Sequence, residues 1–177
     1  MADEIEKKYL IREGATDFST EAFLLNYHSI DFLAKEVFEK GEKIRQGYLE
    51  MDKGLHLAKE LKMNLDFEPK EARLREKAGR FYFTLKGEGN LLRSELELKI
   101  TPGFFYDYWP ETNGRRLEKF RLKKPYQKYD AEFDLYTDRN LIIAEIEVPT
   151  IADAQRLVPL GKDVTDDKRY KNKNLAK

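Results

Sequence analysis

The 177 residues carry 33 lysines and arginines against 33 aspartates and glutamates, and no cysteine. Zero net charge argues against the broad basic surface of a non-specific nucleic-acid binder, and the missing cysteines exclude disulfides, thiolate catalysis and Cys-ligated zinc. The length suits one domain spanning 1–177, the opening Met-Ala-Asp-Glu-Ile-Glu is too charged for a signal peptide, and no apolar run approaches the ~20 residues of a membrane helix, so a cytoplasmic protein is expected.

In chain order, Glu4 to Arg12 reads as a strand, closed by Gly14. Asp17, Ser19 or Thr20 can then cap one helix running to about Lys40, with Phe23, Leu24, Tyr27, Ile30, Phe32, Leu33 and Val37 near helical spacing and Gly41 as its stop. Ile44 to Glu50 reads as a second strand, and Asp52 to about Asp66 as a helix. A run of strands follows, with Gly87 and Gly89 marking one turn and Asp138-Arg139-Asn140 another. Between them, Thr101 to Arg116 holds Phe104, Phe105, Tyr106, Tyr108 and Trp109, an aromatic helix or loop expected to pack on the sheet rather than to stack bases. Thr150 with Asp153 resembles a capping box, and 162–177 is a polar, basic tail. His28 and His56 sit in helical segments and read as surface residues, not ligands.

The strands share one habit. Glu4, Glu6 and Lys8; Arg73 and Arg75; Arg80, Tyr82, Thr84 and Lys86; Arg93, Glu95, Glu97 and Lys99; Lys119, Arg121 and Lys123; Glu132, Asp134 and Tyr136; and Glu145 and Glu147 all recur with a period of two. That period puts alternate residues on opposite faces of a sheet. One charged face is ordinary; seven that mix acid and base suggest a sheet closed around a charged interior. Cations there would hold a polyanion such as a chain of phosphates, and carboxylates would hold a hard divalent ion, Mg²⁺ or Mn²⁺, that bridges phosphate oxygens. Arg73 and Arg75 each offer a planar donor fork, with Lys8, Lys86, Arg121 and Lys123 adding charge at other heights. Glu4 with Glu6, and Glu145 with Glu147, are spaced to bracket a metal. Lys119, Lys123, Glu132, Glu95 and Lys99 fit a structural ion pair as well as a ligand contact.

These residues also resemble a known family in family order. Glu4-Ile5-Glu6-Lys7-Lys8 has the Glu-x-Glu-x-Lys form of the CYTH superfamily, the triphosphate tunnel metalloenzymes. Ile44 to Leu49, Arg73-Leu74-Arg75, Thr84-Leu85-Lys86-Gly87, Arg93 to Glu97, Glu118 to Arg121, Glu132-Phe133-Asp134 and Ala144 to Glu147 are similar to its successive strands, and Val164 to Tyr170 with Asn172 and Asn174-Leu175 to its bacterial C-terminal signature. Two stretches are longer than in small bacterial members, Thr16 to Lys40 and Gly47 to Arg73, and Lys168 stands where proline is common.

The resemblance implies an α+β fold: an eight-stranded antiparallel β-barrel with a charged bore and helices packed outside. It implies Glu4, Glu6, Glu145 and Glu147 as metal ligands for Mg²⁺ or Mn²⁺, with Asp134 or Glu97 helping. It implies Lys8, Arg73, Arg75, Lys86 and Arg121 as phosphate clamps, with Lys123 and Arg169 as further contacts, and Glu4, Glu6, Lys8 and Asp134 as the catalytic set. The expected activity is metal-dependent hydrolysis of a triphosphate, foremost inorganic triphosphate. Thiamine or nucleoside triphosphatase, class IV adenylyl cyclase and a non-catalytic polyphosphate-binding module stand as alternatives. The partner is a triphosphate-bearing small molecule, with no membrane or nucleic acid, and the state a monomer or homodimer.

Overall fold

The computed structural model describes residues 2–177. Eight long strands, β1 (Ala2–Glu13), β3 (Glu42–Leu49), β4 (Glu71–Lys77), β5 (Arg80–Lys86), β6 (Leu92–Ile100), β7 (Arg116–Tyr126), β8 (Tyr129–Tyr136) and β9 (Leu141–Glu147), run in the order β1-β6-β5-β4-β3-β7-β8-β9. Because β9 pairs again with β1, the strands close into the expected antiparallel barrel, with helices outside. The two-residue strands β2 (Thr16–Asp17) and β10 (Lys162–Asp163) add to β1. Among the described residues no helix is long and apolar enough to cross a membrane.

The chain divides into two compact units. The first holds Met1–Glu4, Ile44–Leu117 and Arg169–Lys177. In its sheet β6-β5-β4-β3, Leu49, Ala72, Leu74, Phe81, Phe83, Leu85 and Ile100 form the oily face, buried together with Leu57 and Ala58 of α3 (Met51–Glu60) and Phe105 of α4 (Pro102–Tyr108). Thr101 caps α4 by accepting from the Phe104 N–H, and Pro102 opens it with a preset φ. The aromatic stretch is thus packing: Phe105 stacks on Trp109 at 4.9 Å, and the Arg45 guanidinium lies 5.3–5.6 Å from the rings of Phe105, Tyr106 and Trp109. Gly47 is required there, since a Cβ would stand 2.5 Å from the Thr112 hydroxyl. α3 stops at Glu60, with Lys62 at φ +55, short of the expected Asp66.

The second unit holds Ile5–Lys43 and Glu118–Lys168. Its sheet β7-β8-β9-β1 buries Ala131, Phe133, Ala144 and Ile146, and Phe23 and Tyr27 meet the Phe133 ring edge-on at 6.1 and 5.0 Å. The single helix expected before Lys40 is two helices, α1 (Glu21–Tyr27) and α2 (Ile30–Lys40). The break has a local cause: His28 turns to φ +69, and the Ser29 hydroxyl accepts from the Phe32 N–H and starts a new helix. Thr150 caps α5 (Ile151–Arg156) as its spacing predicts, accepting from the Asp153 N–H at 3.0 Å. Phe23 has no exposed surface. Phe23→Ala should therefore cost ~3–5 kcal/mol, read as a lower urea midpoint; a cost under ~1 kcal/mol would mean that α1 is not an integral part of this core.

Candidate active site

In the first unit the register aligns one polar face across four strands. Tyr48 lies opposite Arg73, Arg73 opposite Thr84 and Thr84 opposite Glu97. One step along, Glu71 lies opposite Lys86 and Lys86 opposite Glu95. Gln46 lies opposite Arg75, and Arg75 opposite Tyr82. Cross-strand neighbours share a face, so this single surface carries the predicted Arg73, Arg75, Lys86 and Glu97.

The charges on it are paired. Arg75 Nη2 donates to Glu97 at 3.1 Å, Arg73 Nη2 lies 3.5 Å from the same carboxylate, and the Thr84 hydroxyl donates to it at 2.7 Å. Burial alone would raise the Glu97 carboxyl, but Arg75, Thr84 and Arg73 outweigh it and hold it low. Lys86 Nζ stands between two carboxylates, 3.1 Å from Glu4 and 3.3 Å from Glu95. Burial and the neighbouring Glu4 carboxyl push Glu95 up to about 7, against the pull of Lys86. Glu71 sits behind this pair, bonded to Arg93 at 3.1 Å.

Glu95 has a measurable consequence. Between about pH 4.5 and 7 the folded chain holds its proton while the unfolded chain has released it, so stability should fall as pH rises through that window. Urea midpoints in EDTA at each end of the window check this. Glu95→Gln should flatten that fall; an unchanged slope would assign the titration elsewhere.

In the second unit the register makes a similar face. Lys123 lies opposite Glu132, Glu132 opposite Glu145, and Glu145 opposite Lys8. On one side of that row Arg121 lies opposite Asp134, and on its other side Glu147 lies opposite Glu6. Arg121 donates to Asp134 at 2.6 and 2.8 Å, to Glu132 at 3.2 Å and to Glu145 at 3.2 Å. Lys8 Nζ is 3.7 Å from Glu145. Lys119, 1 % exposed, donates to Asp134 at 2.7 Å; burial pulls its ammonium down to about 8, with Asp134 opposing. A cavity of about 410 Å³ opens beside them, lined by Lys123, Tyr129, Asp130, Glu132 and Glu147 with Val148 and Pro149.

The predicted strand residues thus lie on one of two polar faces. Arg169 is exposed in the C-terminal turn Lys168–Tyr170, with its guanidinium 5.6 Å from the Tyr170 ring. Asp134, expected among the metal ligands, is fully buried, and both its oxygens accept hydrogen bonds from Arg121 and Lys119. Charge patterning passed over two neutral residues of the first face. Gln46 donates from Nε2 to the Tyr48 hydroxyl at 2.7 Å, and burial raises that phenol to about 12, so it stays protonated.

Among the described residues no three carboxylate or histidine side chains stand close enough together to hold a metal. The reason is visible in the ion pairs: Glu4, Glu97, Glu132 and Glu145 each lean on a neighbouring cation. The donor set still suits a hard divalent ion. Carboxylate oxygens are its preferred ligands, Glu6 and Glu147 stand directly across from each other, and the crowded Glu4–Glu95 pair is one that added positive charge would relieve.

No family model matches the chain. Over 112 residues it is 39% identical to an inorganic triphosphatase of Nitrosomonas europaea, covering 60% of this chain and 74% of that one. A second inorganic triphosphatase, from Acetivibrio thermocellus, is 31% identical over 185 residues, covering all of this chain and 95% of its own. The chain belongs to the CYTH, or triphosphate tunnel metalloenzyme, family. The crystal structure of an inorganic triphosphatase superposes with a TM-score of 0.56 at 28% identity, over 99% of this chain and 95% of the other. A putative adenylate cyclase from Bacillus halodurans, 15% identical with a TM-score of 0.51 over 95% of this chain and all of the other, shares the fold.

Proposed function

We propose that this family member hydrolyses inorganic triphosphate to pyrophosphate and orthophosphate. The observation that carries the reading is the pairing of forked and ammonium cations with carboxylates on each polar face, in a chain whose full-length relative is named for that activity. Arg73, Arg75 and Lys86 of the first unit, and Lys8, Arg121 and Lys123 of the second, bind phosphate oxygens. Guanidinium forks fit the tetrahedral oxygens bidentately, and an ammonium adds a compact charge. Glu4, Glu6, Glu145 and Glu147, with Glu97, hold Mg²⁺ or Mn²⁺, which supplies charge neutralisation at the phosphates when bound. Phosphoryl transfer draws mostly on such positioning and electrostatics, so fixed cations on rigid strands are the machinery it needs. A cytoplasmic location and a monomer or homodimer belong to the same reading.

The test is a substrate comparison. Relative kcat/KM for inorganic triphosphate, ATP and thiamine triphosphate should favour the first. Cyclic AMP from ATP would move the assignment to a cyclase, and tight binding of every triphosphate without turnover would leave a binding module.

A further inference from the structure

We propose that Asp134 is a positioning residue for Arg121 rather than a metal ligand, and that Lys119 is the buried counter-charge that fixes Asp134. The assignment rests on the triphosphatase reading above.

The geometry separates a back edge of the guanidinium from a front edge. On the back edge Arg121 Nε meets Asp134 Oδ1 at 2.6 Å and Nη2 meets Oδ2 at 2.8 Å, a side-on bidentate pair. On the front edge Nη1 and Nη2 reach Glu132 and Glu145, each at 3.2 Å. The short contacts lie with a carboxylate that has no exposed surface, and the longer ones with Glu132 and Glu145 of the next row, whose side chains are 21 % and 7 % exposed. When a phosphate takes over the front-edge donors, the back edge still fixes the plane of the fork.

Asp134 is badly placed for a metal. Its two oxygens already accept three charge-assisted hydrogen bonds, and solvent does not reach it. Lys119 is equally withdrawn: its ammonium donates to Asp134 and lies 5.6 Å from the Tyr136 ring. With Lys119 as a second cation on Asp134, the back-edge carboxylate is balanced without drawing on the front-edge donors of Arg121. The strand is fixed from behind as well, because Gly41 ends α2 against the Arg121 carbonyl, where a Cβ would stand 3.0 Å away.

The experiment is calorimetric titration of inorganic triphosphate in EDTA, with folding followed by circular dichroism. Asp134→Asn removes a negative charge. If Asp134 only neutralises or ligates, metal-free affinity for the anion should rise or stay level; if it positions Arg121, affinity should fall about ten- to a hundredfold. Should the asparagine variant not fold, Asp134→Glu keeps the charge and shifts the fork, and the same fall is expected. Placed on Arg121→Ala, either change should then have no further effect on affinity, the mark of coupled residues. Level or tighter binding, or a fall that persists without Arg121, would overturn the assignment while leaving an active wild type, and so the triphosphatase reading, intact. A wild type that neither binds nor cleaves triphosphate would sink both.

Discussion

Glu4→Gln should lower metal-dependent turnover of triphosphate by about 10²–10³-fold while leaving the protein as stable as the wild type or slightly more so. The two signs have separate causes. Glu4 and Glu95 crowd the Lys86 ammonium, and burial together with the Glu4 carboxyl pushes up the Glu95 carboxyl. The amide keeps Glu4's shape and removes its negative charge, so above about pH 7, where Glu95 is ionised as well, the fold loses a repulsion and Lys86 keeps Glu95. The metal, in the proposed role, loses an anionic ligand that an amide oxygen replaces poorly. A thermal melt and a phosphate-release assay on one preparation read both. Activity that survives intact would take Glu4 out of the metal site, and a large loss of stability would make its role structural.

Arg73→Ala should weaken triphosphate binding by about ten- to a hundredfold, the range for hydrogen bonds to a charged partner. Arg73 is 7 % exposed, and its Nη2 rests 3.3 Å from the Thr84 hydroxyl and 3.5 Å from Glu97. Removing it strands no carboxylate, since Glu97 still accepts from Arg75 and Thr84. The loss should therefore show mainly in affinity. Arg73→Lys should recover only part of it, because an ammonium lacks the planar fork. Calorimetry gives the constant directly; unchanged affinity would move Arg73 from binding to scaffold.

The strands were legible because one signal, the period of two, carried both the fold and the charged face. Arg73, Arg75, Lys86 and Glu97 share a surface for the same reason that Leu74, Phe83 and Leu85 share the opposite one. Which carboxylate serves which cation was not legible. That depends on register, and Lys119 and Asp134 meet across a hairpin, 15 positions apart in sequence. Glu95 looked no different from Glu97 until the register put it beside Lys86 and Glu4, whereas Glu97 fell beside two arginines and a threonine. Gln46 and Tyr48 are neutral, so the alternation of charged residues does not mark them. The long helix failed at one residue: Ser29 bonds the backbone as readily at a fresh N-terminus as in a continuing turn, and only packing chooses between them.

The most direct test of the account is orthophosphate release from inorganic triphosphate by the wild-type protein with Mg²⁺ or Mn²⁺, repeated in EDTA. The expected result is one orthophosphate and one pyrophosphate per substrate with metal and none with the chelator. No release with either ion, or release that the chelator leaves untouched, would contradict it.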